Sequence, residues 1–191
     1  MTEAADEVGA AVEVRPEPGD GGIPPAPGDD VIHLCDGERR RDEVVVEGGD
    51  HHVSLVDGDR FEVIHRFASR YALHGGPKFT PDGRHVFLGS RDGWITKFDL
   101  WNLTVVAEVR AGLNMRNVAV SGDGRWVMAA NHFPHTLALF DADLRLVKTY
   151  DATTLDGSAS SRVSAVYDAA PRRSFIVALK DIAELWEISY D

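Results

Sequence analysis

From residue 51 onward the chain is a succession of short apolar runs broken by Gly, Asp, Asn and Pro, and no run carries the period of an amphipathic helix. One group of runs is PKFT (77–80), RHVFLG (84–89), WITKFD (94–99) and TVVAEV (104–109). A second group has the same order: NVAV (117–120), RWVMAA (125–130), TLALFD (136–141) and RLVKTY (145–150). A third, shorter group is RVSAVY (162–167), SFIVAL (174–179) and ELWEIS (184–189). Their lengths and their Asp-Gly breaks predict antiparallel strands joined by hairpins.

The groups repeat at a fixed step. VSLVD, ITKFD and LALFD end at Asp57, Asp99 and Asp141, each 42 residues after the one before, and PDGRHVFL (81–88) answers GDGRWVMA (122–129). Four short strands in each unit of about 40 residues predict an all-β fold of β-propeller blades, rather than a β-sandwich, which has no reason to hold a constant step. On this reading the chain supplies the last two strands of one blade, two full blades and three strands of another. That is about three to four blades, a fragment of a closed ring, with exposed sheet edges and poor solubility expected for the chain alone.

Charge separates the first 50 residues from the rest. Residues 1–50 hold 14 acidic side chains against 4 arginines, whereas the remainder of a chain of formal net charge -11 is nearly balanced. The stretch GDGGIPPAPGDD (19–30) and the charge run ERRRDE (38–43) predict a mostly disordered, acidic segment over 1–50, followed by a propeller part over 51–191. The acidity argues against nucleic-acid binding, and no stretch is long and apolar enough to cross a membrane as a helix. The single cysteine, Cys35, excludes a CxxCH haem attachment, and with His33 it makes only a two-ligand metal pair.

Propellers bind ligands on the loops around their central channel, so polar residues beside the first strand of each unit are the candidates. His74 precedes two glycines in YALHGGPKF; Arg91 sits on the SRDGW hairpin; Arg116 and Arg162 stand before the first strands of their units; NHFPHT places His132 and His135 in one loop. Arginine pairs bidentately with carboxylates, and a neutral imidazole is an axial ligand for haem iron. No nucleophile–base arrangement or pair of carboxylates stands out by spacing, so no catalytic residue is assigned.

These residues lie in segments that resemble the haem d1-binding propeller family, which comprises the d1 domain of cytochrome cd1 nitrite reductase and the proteins of haem d1 maturation. The resemblance is carried by RFEVIHRFASRYALHGGPKFTPDGRHVFLGSRDGWITKFDLWNLTVVAEVRAG, NMRNVAVSGDGRWVMAANHFPHTLALFD and SSRVSAVYDAAPRRSFIVALKDIAELWEISYD. It implies an eight-bladed β-propeller around haem d1. The Tyr71-Ala72-Leu73-His74 stretch then makes His74 the proximal iron ligand, and Arg91, Arg116 and Arg162 the partners of the haem carboxylates. LHGGPKF and LWEISYD resemble the maturation branch, of the dihydro-haem d1 dehydrogenase type, which converts a propionate of dihydro-haem d1 to an acrylate. The resemblance also implies a periplasmic location and a cytochrome c electron acceptor or nitrite reductase as protein partner. The d1 domain of a nitrite reductase, turning nitrite into nitric oxide, is the alternative within the family. A non-enzymatic interaction propeller is the alternative outside it.

Overall fold

The computed structural model describes residues 12–13 and 42–190, and the chain divides into two compact units, residues 1–69 and 70–191. The His33–Cys35 pair and most of the segment expected to be disordered lie outside the described residues. No α-helix occurs among the described residues; a single 3-10 turn spans Ala170–Arg172.

The first unit is one antiparallel sheet in chain order: β1 (Val12–Glu13), β2 (Asp42–Glu47), β3 (His52–Asp57) and β4 (Glu62–Ala68). β2 lies before the expected boundary at residue 50. It pairs with β3 without a slip from Asp42↔Asp57 to Glu47↔His52, so the sheet holds more than the two strands read from sequence. The charges of the DEVVVE run masked a strand whose Val44 is fully buried. Glu47 explains one of them: it accepts from Arg66 and from Ser54, and its carboxyl is held down at about 2, chiefly by the Arg66 hydrogen bond.

The second unit contains three sheets, each running through its strands in chain order. They are β5 (Lys78–Phe79) to β8 (Thr104–Arg110) through β6 (His85–Gly89) and β7 (Trp94–Asp99); β9 (Asn114–Val120) to β12 (Leu146–Asp151) through β10 (Trp126–Phe133) and β11 (Thr136–Asp141); and β13 (Val163–Ala169), β14 (Ser174–Leu179) and β15 (Leu185–Ser189). The sheets stack face to face. The middle one is apolar on both sides. Val127 and Ala129 of β10 point into a core with Phe87, Ile95 and Phe140, while Met128 and Ala130 point into another with Val163, Phe175 and Val177. Burial on both faces accounts for unbroken runs such as WVMAA and LALF, where a one-faced strand would alternate. The last strand of each sheet is the exposed one, as the patterns of β8, β12 and β15 record. Tyr167 and Leu185 on the third sheet are largely exposed.

The 42-residue mark is a turn device. The Asp57, Asp99 and Asp141 Oδ1 atoms each accept from two backbone N–H groups two to four residues on, closing the turn between the third and fourth strands. A second device, Ser/Thr-x-Asp, closes other turns: the Thr80, Ser90, Ser121 and Thr154 hydroxyls donate to Asp82, Asp92, Asp123 and Asp156. These side chains satisfy the amides that a sharp turn leaves unpaired.

Gly93, in the β6–β7 hairpin, has φ +90, and a Cβ there would overlap the Gly112 carbonyl, which is backbone and has no rotamer to yield. Gly93→Ala is therefore expected to destabilise the chain by about 2–3 kcal/mol, combining backbone strain with the clash. Equilibrium denaturation measures it; an unchanged midpoint would show that the hairpin relaxes freely.

Candidate functional site

The antiparallel order puts the connection into each first strand at the same end of the sheets as the hairpin between the second and third strands. That end of the second unit carries His74–Gly76, Arg91, Arg116, His132, His135, Arg162 and the Lys180–Asp181 turn.

His74 is held by its main chain. Leu73 forms a bridge with Ser90, the His74 N–H donates to the Gly89 carbonyl at 2.8 Å, and the Arg91 N–H donates to the Ala72 carbonyl at 3.0 Å. Residues 72–74 are thus clamped to the hairpin that carries Arg91. In turn the Met115 N–H donates to the Arg91 carbonyl, tying this hairpin to β9 and Arg116. After His74 the backbone turns left-handed at Gly75, φ +85, where a Cβ would lie 2.8 Å from Asn117 Oδ1 and 3.1 Å from the Arg116 carbonyl. Only glycine admits that approach. Buried Asn117 donates to the Val166 carbonyl at 3.1 Å, so it links the first strands of the second and third sheets directly beneath His74–Gly75.

Two expectations change in detail. Arg116 is the third residue of β9 rather than a residue before it. Arg162 does not stand where Arg116 stands. Val163 pairs with Leu179 as Met115 pairs with Asn131, with the same slip to the next pair, so the ladder matches Arg162 to Asn114. Its guanidinium grips Asp181 at 2.5 and 3.0 Å, holding that carboxyl well below the usual range. Arg91 is on an exposed hairpin, as expected.

The histidine pair is split. His132 lies within β10, which reaches Phe133 because the ladder slips to pair Asn131 with Met115 and Phe133 with Asn114. His135 is in the following turn, with Nδ1 2.9 Å from the Ser160 hydroxyl. The His132 Nε2 atom is buried and has no hydrogen-bond partner among the described residues. Burial lowers its pKa first, then the charges of Arg116, Lys180 and Arg162, with Asp181 opposing; the result is about 4 and a neutral ring at pH 7.

Sequence reasoning missed Lys78, Asn117, Lys180 and Asp181. Lys78 Nζ donates to the Gly75 carbonyl at 2.6 Å, and burial pushes its pKa down. A signal existed for the last two: Lys180-Asp181 repeats the basic–acidic order of Arg91-Asp92 on the equivalent hairpin. Among the described residues no three His, Cys, Asp or Glu side chains gather as a metal-binding group. A haem iron needs few ligands from the protein, and His74 would supply one. The residues present fit such a group: an imidazole on a clamped stretch of main chain, a cradle closed to any Cβ, cations from three strands or hairpins, and, among the described residues, an unpartnered buried nitrogen.

Comparison with known proteins gives the same direction. Dihydro-heme d1 dehydrogenase of Pseudomonas aeruginosa is 67% identical over 148 residues, covering 77% of this chain and 30% of that protein. The solved structure of dihydro-heme d1 dehydrogenase NirN in complex with DHE matches with TM-score 0.75 and 66% identity, over 77% of this chain and 32% of that one. The Myceliophteria thermophila Cps50 (Swd1) β-propeller domain matches with TM-score 0.65 at 14% identity, over 78% of this chain and 50% of that domain, and so shows the fold alone. The chain spans about a third of the length of the first two. The family described as cytochrome D1 heme domain matches residues 41–191, beginning one residue before β2, and the chain belongs to that family.

Proposed function

We propose that this chain is the part of a haem d1 maturation protein, of the dihydro-haem d1 dehydrogenase type, that holds one side of the tetrapyrrole. His74 takes the proximal iron position, and Arg91 and Arg116 face the ring's carboxylates. Arg162 completes the cationic rim while paired with Asp181. The observation that carries the reading is the clamped His74–Gly75 segment beside Arg91 and Arg116, in a chain 67% identical over 148 residues to such a dehydrogenase. When bound, the substrate would lose two electrons and two protons as one propionate becomes an acrylate, the electrons passing one at a time to cytochrome c acceptors and the protons to solvent. The residues described here bind and orient it; none is given the role of removing hydrogen. Among the described residues no helix is long and apolar enough to cross a membrane, and the reading places the protein in the periplasm.

Titrating the chain with dihydro-haem d1 tests this. A saturable red shift of the absorption band is expected, and its absence would overturn the reading. Arg116→Ala is expected to weaken binding about tenfold without moving the band, the size of one charge-assisted hydrogen bond lost from a carboxylate. Equal affinity in the variant would remove Arg116 from the site.

A further inference from the structure

We propose that Lys78 is a positioning residue for His74: its ammonium fastens the two-glycine turn that follows the histidine and so fixes the stretch of main chain that presents the imidazole. The iron-binding role of His74 rests on the reading given above. Before His74 the main chain is held by backbone groups, through the Leu73–Ser90 bridge, the Arg91 N–H on the Ala72 carbonyl and the His74 N–H on the Gly89 carbonyl. After His74, no backbone–backbone hydrogen bond involves Gly75 or Gly76 among the described residues. Both glycines are exposed and left-handed, at φ +85 and +70, and β5 starts only at Lys78. Pro77 is buried and its ring fixes its own φ, so the freedom left between His74 and the sheet belongs to the two glycines.

Lys78 closes that freedom from the sheet side. Its Nζ donates to the Gly75 carbonyl at 2.6 Å and reaches the Gly76 carbonyl at 3.4 Å. Lys78 is itself fixed by the β5–β6 ladder, where it pairs with fully buried Phe87. Among the described residues its hydrogen bonds go to these two carbonyls and not to a carboxylate. An ammonium drawn partly out of water needs acceptors, and burial already pushes the Lys78 pKa down, so the carbonyls are what keeps the charge in place. On its other side the turn already lies against β9, where a Cβ at Gly75 would meet Asn117 Oδ1 and the Arg116 carbonyl. Held in this way, the imidazole meets an iron without first ordering two glycines, the residues with most backbone freedom to lose.

A double-mutant cycle with a detached ligand tests this. In the full chain, Lys78→Met keeps the apolar stem and loses the donors. It is expected to weaken dihydro-haem d1 binding about tenfold, equivalent to about 1.4 kcal/mol, the scale of one backbone residue left to order on binding. In His74→Gly with added imidazole the iron ligand is no longer tethered to the turn, and there Lys78→Met is expected to change neither the restored band nor the affinity. An equal loss in both backgrounds, or no loss in either, would overturn the positioning role. So would a loss that vanishes at high salt, which would mark a direct ion pair between Lys78 and a ring carboxylate. NMR relaxation reads the turn with no tetrapyrrole present. The Gly75 and Gly76 amides are expected to be rigid in the parent chain, with order parameters of about 0.85, and to fall below about 0.6 in Lys78→Met. Mobile amides in the parent chain would overturn the role whether or not the variant folds. If the parent chain binds no dihydro-haem d1 while these amides respond to Lys78→Met as stated, the functional reading falls and the tie between Lys78 and the turn stands.

Discussion

Replacing His74 by alanine is expected to abolish the red-shifted band of bound dihydro-haem d1 and to weaken binding by a factor on the order of 100. The fold is expected to survive, because the segment is held by main-chain groups. The Leu73–Ser90 bridge, the His74 N–H to Gly89 and the Arg91 N–H to Ala72 involve no His74 side-chain atom. The variant therefore removes the proposed iron ligand from a backbone that stays in place, and the contacts proposed for Arg91 and Arg116 should leave a residue of weak, salt-sensitive binding. Added imidazole should restore the band in His74→Gly, where space replaces the ring. A normal band in His74→Ala would show that the iron is held by another group. An unchanged thermal midpoint beside a lost band separates ligand loss from unfolding.

The strands read from sequence with their exact spans are largely buried ones, whereas the exposed β8, β12 and β15 were read to within a residue at their ends. Trp94–Asp99, Thr136–Asp141 and Ser174–Leu179 are found with the spans their apolar runs predict. Burial is what such patterns record. β2 was lost because its partners neutralise charges in space: Glu47 answers Arg66, 19 residues away. β9 and β10 were read short at the site end for a related reason. There the ladder slips, and the residues are Asn114, Arg116, Asn131 and His132, whose polar side chains interrupt the pattern. His74 was singled out by a four-residue likeness, but its main-chain clamp was not legible, because the partners Gly89 and Ser90 come from the end of β6, the second strand on. The difference between Arg116 and Arg162 likewise exists only in the register.

The repeat mark itself predicts an unequal set of mutants. Asp57, Asp99 and Asp141 do the same turn-closing work with Oδ1, but only Asp99 is sealed, at 2% exposure. Its Oδ2 accepts from Arg84 Nε and Nη2 at 3.1 and 2.9 Å and from Asn102 Nδ2 at 2.9 Å, while Oδ1 takes the Trp101 and Asn102 amides. Asp99→Ala leaves those donors and a half-buried guanidinium without their anion, and is expected to cost about 3–5 kcal/mol. Asp141→Ala, at a turn open to water, is expected to cost about 1 kcal/mol. Denaturant midpoints measure both, and equal losses would show that turn closure alone sets the cost. Acid supplies an independent check. Burial raises the Asp99 carboxyl, but Arg84, Asn102 and the two amides outweigh it and hold the group at about 2, below its ordinary 3.8. A carboxyl depressed on folding stabilises the chain above its unfolded pKa and loses that contribution as pH falls through the folded one. The stability lost between about pH 4 and pH 2 should therefore be smaller in Asp99→Asn, which has no proton to take up, than in the parent chain.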